Sequence, residues 1–204
     1  EFLQNHYLME DTKINMRFYV LILCQKNEME AYVFSDGFVV YTPQKFKRGS
    51  LEKDNIITTG YIDRKVYERN PLTHQDLRKY LDNPLRKLTS SEIKLRAEGE
   101  ILSNYYFHNA YQLISQVIAS LKGIICSQPH KYVSYQLFGF DLAPDESLGV
   151  KMMEANKGPD MGAKDGRDGA LKQRVMDDIL KVLGIIEGEN GFIKVYDSDE
   201  AIII

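Results

Sequence analysis

The stretch from Arg17 to Thr42 constrains the fold more than any other part of the chain. "RFYVLILC" is a run of branched and aromatic residues, and "AYVFS" and "FVVYT" follow after the charged gap "QKNEME". Such runs favour extended backbone, and the Asp36-Gly37 pair supplies the turn chemistry of a tight hairpin. The pattern therefore predicts strand, loop, strand, tight turn, strand. Just upstream, "KINMR" alternates strictly, so Lys13, Asn15 and Arg17 share one strand face, with Ile14 and Met16 on the other.

Helical signals follow. "THQDLRKYL" comes after a Thr73 cap, and "SSEIKLRAEGEIL" after Ser90 or Ser91. From Asn104 to Lys122 apolar residues recur at helical spacing, and Gly123 provides a stop. Two more strands, "YVSYQLFGFDLAP" and "VKMMEAN", are joined by the turn "DESLG". A glycine-rich segment then leads into "DGALKQRVMDDILKVLG", whose Leu171, Val175, Ile179 and Val182 form one stripe. The tail "NGFIKVYDSDEAIII" offers a short edge strand. The expected class is α+β, a mainly antiparallel sheet flanked by helices.

The totals exclude several functions. With 204 residues, 44% of them hydrophobic and 27% charged, the chain can bury one sizeable core. A net charge of -3 gives no field for nucleic acid, and the longest apolar run is too short to span a bilayer. Cys24 and Cys126 form no C-x-x-C pair, which argues against a disulfide framework or zinc knuckle and suits a reducing, cytoplasmic setting. The chain opens directly into "EFLQNHYLMED", which reads as the interior of a larger protein.

Chemistry concentrates in two places. Glu154 and Asn156, at i and i+2 on a strand, project from one face, and the "DESLG" turn brings Asp141 back beside them. Two carboxylates and an amide oxygen suit magnesium, which takes hard oxygen ligands. On spacing alone, a solvated strand end is the stronger account. Lys13 and Arg17 could neutralise phosphate oxygens, although a solvated edge strand is the stronger account when they are read alone. The glycine-rich segment carries no phosphate-loop pattern and fails the EF-hand pattern at Gly162. The four histidines show no metal spacing.

"HYLMEDTKINMRFYVLIL" and "QLFGFDLAPDESLGVKMMEANKGP" together resemble the tubulin–tyrosine ligase-like family of ATP-grasp enzymes. The family shows K-F-D-x-R before an apolar strand, then F-G-x-D with an acidic hairpin, then E-[IV]-N-x-x-P. The resemblance implies the C-terminal region of an ATP-grasp domain over residues 1–186, with 187–204 as an extension. It implies ATP and magnesium as cofactors, and Asp141, Glu154 and Asn156 as the metal ligands. Lys13, Asn15 and Arg17 fall on the phosphate-facing positions, with Lys13 and Arg17 as catalytic cations. "NIITTGYID" puts Thr58 and Thr59 near the nucleotide, Glu1, Phe2 and Leu3 fall on the hinge that grips adenine, and Lys172 is a weaker candidate for phosphate or substrate contact. Asn15 stands where the family has Asp, Thr59 where it has Asn, and Ile56 where a His is common.

The implied activity joins an amino acid to a protein carboxylate through an acyl phosphate, with tubulin a candidate acceptor and a cytoskeletal setting. Two other readings stay open. One is a non-catalytic, structural or microtubule-associated relative, and the other is a ligase acting on a non-tubulin acceptor.

Overall fold

The computed structural model describes every residue except 1, 2, 4, 27, 127–129, 200, 201, 203 and 204, and every side chain among them except those of 130 and 131. Six strands, β1 (Leu8–Met9), β2 (Thr12–Lys26), β3 (Glu28–Tyr41), β4 (His130–Pro144), β5 (Val150–Lys157) and β6 (Phe192–Asp197), form one sheet. Its order is β5-β4-β2-β3-β6, with β1 paired to β2 off this path. β1–β2 and β3–β6 pair antiparallel. The short connections β2–β3 and β4–β5 require the same sense. The helices are α1 (Lys53–Ile56), α2 (His74–Asp82), α3 (Ser90–Ala97), α4 (Leu102–Ser120) and α5 (Gly166–Val182), with a 3-10 turn at Arg64–Glu68.

The chain divides into two compact units. The first comprises Glu1–Arg17, Phe38–Ala110 and Asp141–Glu154, and the second Phe18–Gly37, Tyr111–Phe140 and Ala155–Ile204. In the first, Met9, Ile14, Met16, Val39 and Tyr41 are buried with Leu77, Leu81, Tyr106 and Phe107. Both α2 and α3 begin with capping boxes, Thr73 with Asp76 and Thr89 with Glu92. The cap of α3 is thus one residue earlier than expected, because Glu92 sits three residues after Thr89. Glu92 is fully buried and takes Arg86 through both carboxylate oxygens, and its Oε1 also accepts from the Tyr7 hydroxyl at 2.8 Å.

In the second unit Phe18 to Cys24 is buried without a break, so β2 is covered on both faces here and shows no alternation. The expected hairpin at Asp36-Gly37 does not form. β3 runs straight through both residues, and the change of strand comes after Lys26, which adopts φ +58°. Tertiary partners hold the backbone extended. Asp36 accepts from the Gly37 N–H and from Arg174 of α5, and the Ser35 N–H donates to the Gly191 carbonyl. β6 pairs Phe34 with Phe192, so the tail does supply the strand its sequence offers.

Cys24 and Cys126 are joined in a disulfide, their Cα atoms 5.4 Å apart and their positions 102 residues apart. This overturns the argument made from cysteine spacing. Sparse cysteines without a local motif can still meet through the fold.

Candidate functional site

Strand β2 builds one wall of the site. Lys13 and Asn15 are both buried, which a polar side chain tolerates only with partners or a ligand. The Lys13 Nζ donates to the Ile56 carbonyl at 2.9 Å, and burial lowers the pKa of its ammonium. The Lys13 carbonyl accepts from the Thr42 N–H at 3.1 Å. These bonds tie the last residue of α1 and the residue after β3 to β2. Thr59 bridges Tyr41 of β3, and its hydroxyl accepts from the Tyr61 N–H at 3.1 Å. Thr58 is half-buried beside it.

At the end of this strand face Arg17 meets Asp141 of β4. The Arg17 Nε donates to Oδ1 at 2.5 Å and Nη2 to Oδ2 at 2.8 Å, a two-point fork. Glu154 of β5 lies in hydrogen-bond contact with the same carboxylate. Burial raises the Asp141 pKa above the ordinary range, Arg17 pulls it down, and Glu154 pushes it up again. Arg17 forks onto Asp141, while Glu154, solvent-exposed on β5, sets a second carboxyl group against the same acid.

That donor set fits a hard divalent cation, since two adjacent carboxylate oxygens in mutual repulsion gain from a shared positive ion. Among the described residues no group of three or more His, Cys, Asp and Glu gathers to hold a metal. A metal here therefore needs neutral oxygen to complete it. Asn156 belongs to the second unit, two residues beyond Glu154 on β5, and its candidacy rests on that spacing.

Beside Lys13 the first unit has a cavity of about 740 Å³, within the size range of small-ligand sites. Leu3, Asn5 and His6 line it from the N-terminal segment, and Asp145, Glu146, Lys151 and Met152 from the β4–β5 turn and β5. Three bonds clamp the two walls. The Tyr7 N–H donates to the Pro144 carbonyl, the Glu146 N–H to the Asn5 carbonyl, and Asn5 Nδ2 to Glu146 Oε1. Asp145 shapes the turn by accepting from the N–H groups of Ser147 and Gly149. A Cβ at Gly149 would lie 2.5 Å from Asp145 Oδ2, so a side chain there would displace the carboxylate that shapes the turn. Burial, with Lys13 nearby, lowers the His6 pKa to about 4, so its imidazole is neutral at pH 7.

Of the expected nucleotide contacts, Leu3 and Lys13 line this cavity, and Glu1 and Phe2 lie outside the described residues. Sequence reasoning missed His6, Asn5 and the acidic turn. The only signal for them was the polar cluster "DES" in the hairpin, which read as nothing more than a turn.

Lys172 has a different role from the one its position suggested. In the second unit it is buried, pairs with Asp168 at 3.0 Å and donates to the Gly162 carbonyl at 2.6 Å. Asp168 also accepts from the Lys164 N–H, and Asp165 caps α5 by accepting from the Asp168 N–H. The glycine-rich segment is a helix-capping loop held by a buried lysine.

The family model "Tubulin-tyrosine ligase family" matches residues 1–190. The chain is 22% identical to the probable tubulin polyglutamylase TTLL9 of Bos taurus over 183 residues, which is 89% of this chain and 37% of that protein. It is 24% identical over 187 residues to the probable tubulin polyglutamylase ttll-9 of Caenorhabditis elegans, covering 90% of this chain and 42% of that one. With the tubulin monoglutamylase TTLL4 of Homo sapiens the identity is 23% over 199 residues, 91% of this chain and 16% of the relative. The chain thus spans less than half the length of each of these relatives. It belongs to the tubulin-tyrosine ligase family.

Proposed function

We propose that this chain is the metal-bearing portion of an ATP- and magnesium-dependent ligase that joins an amino acid to a carboxylate of a protein acceptor. The observation that carries this reading is the Asp141–Glu154 carboxylate pair, braced by Arg17 on the strand that also bears the cavity-lining Lys13. Tubulin is the acceptor to try first, because the matched relatives are named for it.

The reaction takes two steps. An acceptor carboxylate oxygen attacks the terminal phosphorus of ATP, the P–O bond to ADP breaks, and ADP leaves with its electron pair. The amine nitrogen then attacks the acyl carbon of the resulting acyl phosphate. The C–O bond breaks, inorganic phosphate leaves with the pair, and the amine gives up a proton to solvent. Asp141 and Glu154 would hold magnesium, with Asn156 as a third oxygen by its spacing, and the ion would screen the phosphate charge. Lys13 presents a fixed cation at the cavity wall, and Thr58 and Thr59 are hydroxyl donors on the segment tied to it. The protein supplies placement and electrostatics.

A second reading, a non-catalytic relative, draws on one observation. Lys13 and Arg17, the cations offered to phosphate, already hold protein partners at Ile56 and Asp141. The full-length protein separates the two readings when it is incubated with tubulin, ATP, magnesium and labelled amino acids. The ligase reading expects incorporation that Glu154→Gln abolishes. No incorporation together with tight tubulin binding favours the scaffold.

A further inference from the structure

We propose that Ser50 is a phosphorylation site for a serine/threonine protein kinase with an acidic substrate cleft, and that its phosphate weakens nucleotide binding in the Lys13 cavity. The modification stands on the residues around Ser50, while the effect on nucleotide rests on the ligase reading above. Lys47 and Arg48 come three and two residues before the hydroxyl, and Leu51 follows it directly. This spacing offers two cations to a kinase's carboxylates and an apolar side chain to a pocket beside the reacting serine. Lys47, Arg48 and Gly49 are exposed between β3 and α1. At 93% exposure Leu51 adds nothing to the core and is available to such a pocket. The Ser50 N–H donates to the Lys47 carbonyl at 3.0 Å, and Gly49 adopts φ +77°, so the hydroxyl sits at the end of a tight surface turn.

In the transfer, Ser50 Oγ attacks the terminal phosphorus of the kinase's ATP, the P–O bond to ADP breaks, and ADP leaves with the electron pair. The hydroxyl proton passes to the kinase's catalytic carboxylate. Before the transfer the hydroxyl donates to Asn55 Oδ1 at 3.2 Å and accepts from the Glu52 N–H at 3.1 Å. Afterwards it has no proton to donate and sets a doubly charged group against that amide oxygen. Rotating the Asn55 amide to meet the phosphate would break the bond from its Nδ2 to the Lys45 carbonyl, 2.8 Å long. Asn55 lies in α1 next to Ile56, whose carbonyl holds the Lys13 Nζ at the cavity wall. Arg48, two residues before the phosphate, donates to Asn5 Oδ1, and Asn5 lines the same cavity. The phosphate thus disturbs two supports of the cavity and adds negative charge beside it, and both effects oppose an anionic nucleotide.

The test treats the full-length protein with the catalytic subunit of cyclic-AMP-dependent protein kinase and ATP, and maps the phosphate by mass spectrometry. Ser50 is expected to be modified, at a rate about tenfold lower in Lys47→Ala, the loss of one charge-assisted contact. The phosphorylated protein should bind ADP at least about fivefold more weakly than mock-treated protein. Kinase treatment should leave the ADP affinity of Ser50→Ala as it was, which separates Ser50 from phosphate placed elsewhere. The Asn55 and Ile57 N–H groups, held by the Glu52 and Lys53 carbonyls, should exchange with solvent about tenfold faster after phosphorylation, a readout that needs no nucleotide. Ser50 left unmodified overturns the proposal, and unchanged ADP affinity in the phosphorylated protein overturns the effect on the cavity. If the unmodified protein binds no ADP, the ligase reading fails, whereas phosphate at Ser50 with quickened exchange upholds the modification and its reach into α1.

Discussion

Arg17 grips both carboxylate oxygens of Asp141, at 2.5 and 2.8 Å, while Glu154 presses on the same group from β5. The fork fixes one acid of the pair in orientation and leaves the other to repel it. Arg17→Gln should therefore lower stability by about 1–3 kcal/mol, since a partly buried carboxylate loses its counter-charge beside a like charge. Arg17→Lys should recover only part of this, because an ammonium cannot reproduce the two-point geometry. Urea unfolding of the three proteins measures both effects.

The pH dependence of stability should carry two opposing contributions. His6 has its folded pKa lowered to about 4 from the ordinary 6.5, and His74, fully buried, to about 3, in both cases mainly by burial. The unfolded chain binds these protons first, so stability falls as pH drops from about 6.5 towards 4. Asp141, its folded pKa raised, acts with the other sign and loses stability as pH rises out of the ordinary aspartate range. His6→Asn should flatten the slope between pH 4 and 6.5, leaving the share of His74. Denaturant midpoints across that range check it, and a slope unchanged by the substitution would contradict the assignment.

Glu92 is the electrostatic anchor of the first unit. It holds Arg86 through two hydrogen bonds, Tyr7 through a third and the Thr89 N–H through a fourth. Glu92→Ala should cost about 3–5 kcal/mol, because the Arg86 guanidinium is then left largely buried with its carboxylate partner gone. Chemical denaturation reads this loss directly, and a cost below about 1 kcal/mol would mean that the pair contributes little.

The Cys24–Cys126 disulfide closes a loop 102 residues apart in sequence. Cys24→Ser, or reduction of the wild type, should lower stability by about 2–4 kcal/mol, chiefly by freeing the unfolded chain. Thermal unfolding with and without reductant tests this, and the serine variant should be insensitive to reductant.

Much of this architecture could be read from the residues. The β2 face, the β4–β5 hairpin, α2, α4 and α5 all follow from local periodicity and caps. The acidic pair was legible because strand spacing and one short turn suffice to bring Asp141 and Glu154 together. The straight passage of β3 through Asp36-Gly37 was not, because it depends on Arg174 and Gly191, more than a hundred residues away. Lys172 misled for a similar reason, since sequence spacing cannot tell a lysine facing a ligand from one pinned to the Gly162 carbonyl. The disulfide and the His6 wall of the cavity likewise depend on which distant segments meet.

A magnesium titration of thermal unfolding in the presence of ADP, on wild type and Glu154→Gln, tests the central claim most directly. Without magnesium the variant should unfold at a higher temperature than wild type, because removing one carboxylate relieves its repulsion of Asp141. At saturating magnesium, about a hundredfold above the dissociation constant, the wild type should gain about 2.7 kcal/mol, roughly 5–10 °C for a chain of this size. The variant should gain almost nothing. Equal magnesium responses in the two proteins, or none in either, would contradict the assignment of Asp141 and Glu154 as a cation site.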